Sequence, residues 1–249
     1  MSQAADTPVN AVVTGAAGVL GQAITRDLVA CGCRVFMVDV NEPPLQELAR
    51  ELRPAAEALR ADISSPDEVA ALVRQIEAGW GGIDILVNNA GILTNHKAAD
   101  TDPGEWRDVL AVNLDGAFYL SQAVLPAMRA KGFGRIINIC SLAMKTGGLT
   151  AGTAYSVSKS ALGGLTFSLA RETARQGITV NGVAPAYILT PMVTEQLSEE
   201  QRQALLRDIP VGRFCEGWEV ARVVTFLASP LSGFITGEII DINGGLHFD

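Results

Sequence analysis

The stretch Val9–Gly21, VNAVVTGAAGVLG, sets a β-branched run directly before glycines at 15, 18 and 21. β-Branched residues suit a pleated, buried surface, so Val9–Thr14 reads as a strand. Glycines permit a tight turn and a close approach of backbone amides to a ligand. The helix expected over Gly18–Ala30 points its N-terminus, carrying about half a positive charge, at the same place. Strand, glycine turn and helix in that order make a cradle for a pyrophosphate. Gly15, Gly18, Val19, Leu20 and Gly21 are its candidate residues.

Working outward, Arg34–Val40 (RVFMVDV) reads as the second strand and ends on Asp39, 18 residues beyond Gly21. A carboxylate at that distance accepts hydrogen bonds from both hydroxyls of an adenosine ribose. It also repels a 2′-phosphate carrying roughly −1.5 to −2 charges. The turn holds no Arg or Lys, and Val40 and Asn41 follow the aspartate. Asp39 and Val40 therefore point to NAD rather than NADP.

The alternation continues to the end of the chain. Helices are expected over Pro44–Leu52, from a capping box at Ser65-Pro66-Asp67-Glu68, from Asp102 to about Ala130, over Thr153–Gln176 and over Glu216–Ala228. Strands are expected at Ala58–Asp62, Ile83–Asn88, Gly134–Cys140, Ile178–Val183 and Glu238–Ile242. Tyr187–Arg213 is polar and irregular, with Ser198 capping a short helix. Seven strands alternating with helices predict an α/β chain: a doubly wound, mostly parallel seven-stranded sheet with helices on both faces. No linker divides residues 1–249, so one domain is expected.

Composition narrows the function. The 249 residues are 48% hydrophobic and 18% charged, with net charge −8, which excludes a disordered chain and disfavours nucleic acid, whose binders concentrate basic charge on one face. Backbone amides at a helix N-terminus can still hold a phosphate. Cys31 and Cys33 form C-x-C, Cys140 and Cys215 stand apart, and only His96 and His247 add imidazole, so no metal site is expected. The start, Met1 to Pro8, has no basic and apolar leader pattern, and no window has the roughly 18 apolar residues of a membrane span. A cytoplasmic chain is the expectation.

The motifs taken together resemble the single-domain, ~250-residue branch of the short-chain dehydrogenase/reductase family. The carriers are the Thr14–Gly21 turn, Asp62-Ile63, Asn88-Asn89-Ala90-Gly91, Asn113, Ser141, Tyr155-Ser-Val-Ser-Lys159, and Pro185 with Thr190. They span essentially the whole chain in order. The resemblance implies a Rossmann-type fold, a nicotinamide cofactor and the catalytic set Asn113, Ser141, Tyr155 and Lys159. It further implies that Asp62 and Ile63 flank the adenine and that Asn89, Ala90 and Gly91 line the ribose. Pro185, Ile188 and Thr190 would grip the carboxamide. The chain departs from the family pattern at Val19, where a glycine is usual, and valine would be strained there if the position needed a positive φ. Ala186 and Asn243 also differ from the common pattern, away from the chemistry.

Tyr155 and Lys159 stand four apart, hence on one helix face. A free tyrosine has a pKa near 10, and bringing it near 7 takes roughly 4 kcal/mol. An exposed ion pair contributes only about 0–1 kcal/mol, so a dry site holding the oxidised cofactor is required. The expected mechanism makes Tyr155 the base that takes a hydroxyl proton as hydride leaves for NAD⁺. Ser141 donates to the developing oxygen charge, Lys159 also bonds the nicotinamide ribose, and Asn113 holds a water leading to Lys159. A nucleophilic role for Ser141 would need a histidine that no hydrolase pattern supplies.

Loops at 93–100, 142–153 and 186–214 are expected to face the substrate. Leu142, Met144, Leu149 and Met192 are apolar candidates there, Lys145 and His96 are possible anion or hydroxyl contacts, and Gly147-Gly148 suggests a mobile rim. A small secondary alcohol, polyol, sugar or hydroxy acid, or the matching ketone, is the expected substrate. The rivals are an NADPH-dependent 3-oxoacyl-thioester reductase, with Arg129, Lys131 and Arg175 to meet an acidic carrier; an epimerase or dehydratase; and a non-catalytic dinucleotide sensor or scaffold. A homotetramer through the helices near Asp102–Ala130 and Thr153–Gln176 is the expected assembly.

Overall fold

The computed structural model describes residues 8–190 and 198–248. Its strands are β1 (Asn10–Thr14), β2 (Arg34–Asp39), β3 (Ala56–Arg60), β4 (Ile85–Asn88), β5 (Gly134–Ile139), β6 (Ile178–Pro185) and β7 (Ile239–Ile242). They form one sheet in the order β3-β2-β1-β4-β5-β6-β7. Every pairing is parallel, where a mostly parallel sheet was expected. The chain order reverses between β1 and β4, which opens a crevice beyond their carboxyl ends. This is the Rossmann-type topology.

Helices α1 (Val19–Ala30), α2 (Glu42–Glu51) and α9 (Gly217–Ala228) cover one face, with Ile24, Leu28, Leu45, Val220 and Val224 packed on Val13, Met37 and Ile137. Helices α3 (Pro66–Trp80), α5 (Gly116–Lys131) and α7 (Thr153–Thr173) cover the other, with Ile76, Leu120, Val124 and Leu169 packed on Val12, Phe36, Leu86 and Ile136. Alternate strand residues thus enter opposite cores, as a pleat of period two requires. Both faces are buried, so the strands read as nearly continuous apolar runs. Full burial of one such side chain contributes about 1.5–3 kcal/mol.

Three local expectations need correction. The box at Ser65 is only half made: Ser65 Oγ accepts from Glu68 N at 3.3 Å, but the Glu68 carboxylate reaches Asp62 N at 2.9 Å instead of its own N-cap. A complete box stands at Glu216 and Glu219. The helix expected from Asp102 to Ala130 is α4 (Pro103–Leu110), a π-helical turn over Ala111–Asp115, and α5. The π turn inserts an extra residue into the ladder and turns Asn113 inward, where it is buried. The third expected to be one helix ends at Thr173 and closes with a 3₁₀ turn over Ala174–Gln176.

Two asparagines inside strands form a buried network that the sequence pattern does not show. Asn88 and Asn138 face each other across β4 and β5. Asn88 Nδ2 donates to Asn138 Oδ1 at 2.8 Å and to Ser121 Oγ at 3.3 Å, and Asn138 Nδ2 donates to Thr166 Oγ1 at 2.8 Å. This buried chain ties α5 and α7 to the two strands whose ends carry the site. Short helices α6 (Ala143–Thr146) and α8 (Glu199–Asp208) complete the described fold. Among the described residues, no helix is long and apolar enough to cross a membrane, and no His/Cys/Asp/Glu group could hold a metal. The four cysteines are all free thiols.

Candidate active site

The glycine turn lies at the mouth of the crevice. Gly15 has φ +63°, and a Cβ there would fall 2.7 Å from Ala90 Cα. At Gly21 a Cβ would fall 2.2 Å from the Gly15 carbonyl oxygen. The turn can therefore close only with glycine at both positions, leaving a side-chain-free cradle that fits a pyrophosphate. Gly18 is the N-cap of α1 with φ −75°, and Val19 is its first residue. No described residue other than glycine has a positive φ, so Val19 carries none of the strain its position suggested. Its side chain leans toward Gly217 at the start of α9. Leu20 lines the cavity described below.

Asp39 ends β2 and is held by two amides: Ala17 N donates to Oδ2 at 3.0 Å and Asn41 N to Oδ1 at 2.9 Å. Each oxygen keeps lone-pair capacity for a ribose hydroxyl. Val40 beside it is exposed. Asp62 Oδ1 accepts from Ser64 N and Ser64 Oγ, which rigidifies the β3 exit. The Ile63 side chain is buried beside Gly116, which leaves only its backbone to face the crevice. At the β4 exit, Thr14 Oγ1 accepts from Asn89 N and Ala90 N, both at 3.0 Å, and Asn89 Nδ2 donates to the Thr14 and Gly15 carbonyls at 2.8 and 3.1 Å. Asn89 thus holds the glycine turn in place as well as facing the cavity.

Ser141, Tyr155 and Lys159 meet on one cavity wall. Lys159 is buried, and its Nζ donates to Ile139 O at 2.7 Å. Burial pulls its pKa down to about 8. Its Nζ lies 5.8 Å from the Tyr155 ring centroid. A Cβ on Gly91 would sit 3.3 Å from Nζ, so glycine keeps the approach to the amine open. The Tyr155 pKa is pushed up by burial, while a hydrogen bond with Ser141 pulls the other way. The phenol therefore stays above its ordinary value in the cofactor-free chain, and positive charge beyond the lysine one turn away is needed to acidify it. Ser141 Oγ also accepts from Ala143 N at 3.1 Å, which aims the hydroxyl.

Asn113 sits behind this wall. Its Oδ1 accepts from Ile92 N at 2.8 Å, and its Nδ2 donates to Ile92 O and Ser158 Oγ, both at 3.0 Å. The amide clamps the segment after Gly91 to α7, and only one lone pair of its oxygen is left for the expected water.

One cavity of about 670 Å³ gathers Leu20, Asn89, Gly91, Ser141, Tyr155, Lys159, Pro185, Ile188 and Thr190 with the expected substrate loops. Gly15, Gly18, Val19, Gly21, Asp39, Val40, Asp62, Ile63, Ala90 and Asn113 lie outside its lining. Ile188 bridges Cys215, and Leu189 N donates to Cys215 O at 2.8 Å, which pins the segment after β6. Met192 lies outside the described residues.

The loop cations are placed differently from expectation. His96 Nδ1 lies 2.6 Å from Glu105 Oε2, and that carboxylate holds the imidazole above its usual pKa. Lys145 Nζ lies 2.6 Å from Asp241 Oδ2 on β7. Neither lines the cavity. The rim at Gly147-Gly148 is tied down rather than free. Lys97 Nζ donates to Gly148 O at 2.8 Å and Ala151 O at 2.6 Å, and Gly152 N donates to Thr94 O at 2.7 Å. Sequence reasoning passed over Lys97, whose partners lie more than 50 positions away and leave no local signal.

A family model described as enoyl-(acyl carrier protein) reductase matches residues 15–247. A 3-oxoacyl-(acyl-carrier-protein) reductase FabG from Haemophilus influenzae is 39% identical over 237 residues, covering 95% of this chain and 97% of its own. Nodulation protein G from Azospirillum brasilense is 40% identical over 245 residues, covering 96% and 98%. A crystal structure described as an NAD(P)-dependent gluconate 5-dehydrogenase from Beutenbergia cavernae, with NADP bound at low occupancy, superposes with a TM-score of 0.89 at 35% identity and covers 96% of each chain.

Proposed function

Since the chain belongs to the short-chain dehydrogenase/reductase family and is an oxidoreductase of that type, we propose that it interconverts a secondary alcohol and a ketone with NAD as cofactor. The observation that carries this reading is the meeting of Ser141, Tyr155 and Lys159 in the cavity that Gly91, Ile188 and Thr190 also line. The cradle at Gly15 and Gly21, closed to any Cβ, fits the dinucleotide's pyrophosphate. Gly18, Val19 and Leu20 complete the cradle. Asp39 and Val40 would face the adenosine ribose and Asp62 and Ile63 the adenine. Asn89, Ala90, Gly91 and Lys159 would hold the nicotinamide ribose, and Pro185, Ile188 and Thr190 the carboxamide.

The bound dinucleotide supplies the hydride acceptor or donor. The remaining steps belong to the chain. Tyr155 takes the hydroxyl proton in oxidation and returns it in reduction. Ser141 donates to the substrate oxygen and fixes its position against Tyr155. Lys159 places a positive group below the phenol and relays protons toward Asn113. Burial alone keeps Tyr155 protonated, so the base forms only when positive charge enters the groove.

The cofactor choice rests on Asp39, whose carboxylate opposes a 2′-phosphate. Fluorescence titration is expected to show NADH bound at least ~10-fold more tightly than NADPH, since like-charge juxtaposition costs more than 1.4 kcal/mol. The reverse order would favour the rival reading, an NADPH-dependent 3-oxoacyl-thioester reductase; the Haemophilus relative is named as a 3-oxoacyl-(acyl-carrier-protein) reductase. We also propose a homotetramer. Large apolar side chains stay exposed at Phe118 on α5, at Val157 and Phe167 on α7, and at Trp218, Phe226, Leu231 and Phe234 around α9. Clusters of this kind mark protein contacts.

A further inference from the structure

We propose that the substrate cleft is built for an uncharged molecule, a ketone or secondary alcohol with an apolar body and a second neutral polar group, and that it rejects carboxylates. The proposal rests on the oxidoreductase reading above and narrows its substrate. Besides Ser141 and Tyr155, the cavity is lined by Leu93, Leu142 and Leu149 from the substrate loops, with the amide of Asn95 and the hydroxyls of Thr146, Thr150 and Tyr187 as their polar groups. Thr150 Oγ1 and Tyr187 Oη stand 3.4 Å apart and make a paired donor and acceptor. Among the described residues lining the cavity, Lys159 is the one cation, and it sits at the catalytic end donating to Ile139 O.

Apart from Arg207, the described loop cations around the cleft are turned to another group. His96 meets Glu105 at 2.6 Å, Lys145 meets Asp241 at 2.6 Å, and Lys97 donates to the Gly148 and Ala151 carbonyls. Arg202 meets Glu199 at 2.7 Å, Arg213 grips Glu219 with both terminal nitrogens, and Arg207 is exposed and off the lining. Residues 191–197, PMVTEQL, contain no Lys, Arg or His in any arrangement, and their only charge is Glu195. A carboxylate entering this cleft would lose water and, among the described residues, meet no cation other than Lys159 at the catalytic end, which is the costly case for a buried charge. A neutral ester, thioester or polyol hydroxyl meets groups that suit it.

The test compares straight-chain oxo acids with their methyl esters, so that each pair shares its reacting carbon and chain length. Binding to the NADH-saturated full chain is read by ligand-observed NMR, and kcat/KM is read from NADH oxidation. The expected result is binding of the ester and a kcat/KM at least ~10-fold above that of the acid, carried mainly by KM. Equal or better binding of the acid overturns the proposal, as does binding of neither. A chain that binds no dinucleotide fails the oxidoreductase reading instead, and the same NMR comparison on the free chain still decides the substrate class. Leu149→Arg, which sets a cation on the exposed rim, is expected to move the acid-to-ester ratio at least ~10-fold toward the acid. An unmoved ratio contradicts the assignment of selectivity to the missing cation.

Discussion

Tyr155→Phe is expected to lower turnover by at least ~10²-fold while leaving dinucleotide affinity within about threefold, because it removes a proton carrier and nothing that holds the cofactor. The only described partner of the phenol is Ser141, so phenylalanine fills the same space with one hydrogen bond lost. Stopped-flow and equilibrium titration of the purified variant separate the two effects. Near-normal turnover would remove Tyr155 from the chemistry. A parallel collapse of cofactor affinity would mean that the substitution damaged the groove.

Gly21→Ala is expected to weaken dinucleotide binding by about 10–100-fold, from a distortion of about 1–3 kcal/mol. The added methyl would lie 2.2 Å from Gly15 O and 2.7 Å from Ala16 Cα, both backbone atoms. Gly15 cannot retreat, since its own space is closed by Ala90 Cα. Gly18→Ala is the control: its Cβ would meet Gly15 O at 3.4 Å, an ordinary contact, and φ −75° suits alanine. Calorimetric titration of both variants with NADH should show loss for the first and near-native affinity for the second. Near-native affinity in Gly21→Ala would place the pyrophosphate elsewhere.

These two positions also mark what the sequence discloses. The Val9–Gly21 stretch and the alternation after it carry the sheet, because each strand needs an apolar run and each turn needs its glycine or cap. Register and order follow once parallel strands must be joined by helices. The π turn at Ala111–Asp115 escaped, because a 3.6-residue periodicity does not register one extra residue. Glu68 was assigned to its own N-cap because the spacing fits, yet Asp62 N competes for the same carboxylate.

The candidate site divides along the same line. Ser141, Tyr155 and Lys159 were visible as a spaced pattern and do converge. The loop cations were not placeable, because Glu105, Asp241 and the carbonyls of Gly148 and Ala151 are partners supplied by tertiary structure. The electrostatics of Tyr155 also turned on burial, which spacing on a helix does not report: the lysine stands close, but the phenol is held protonated by its dry surroundings.

That point gives the most direct test. The chain has three tyrosines, so ¹³Cζ-tyrosine labelling with Tyr155→Phe as the assignment control isolates one titration curve. The account predicts that Tyr155 titrates above its ordinary value of 10 in the cofactor-free chain, as its burial requires, and that saturating NAD⁺ moves the midpoint down toward neutrality. A midpoint already near neutral without cofactor, or one that NAD⁺ leaves unmoved, would contradict it.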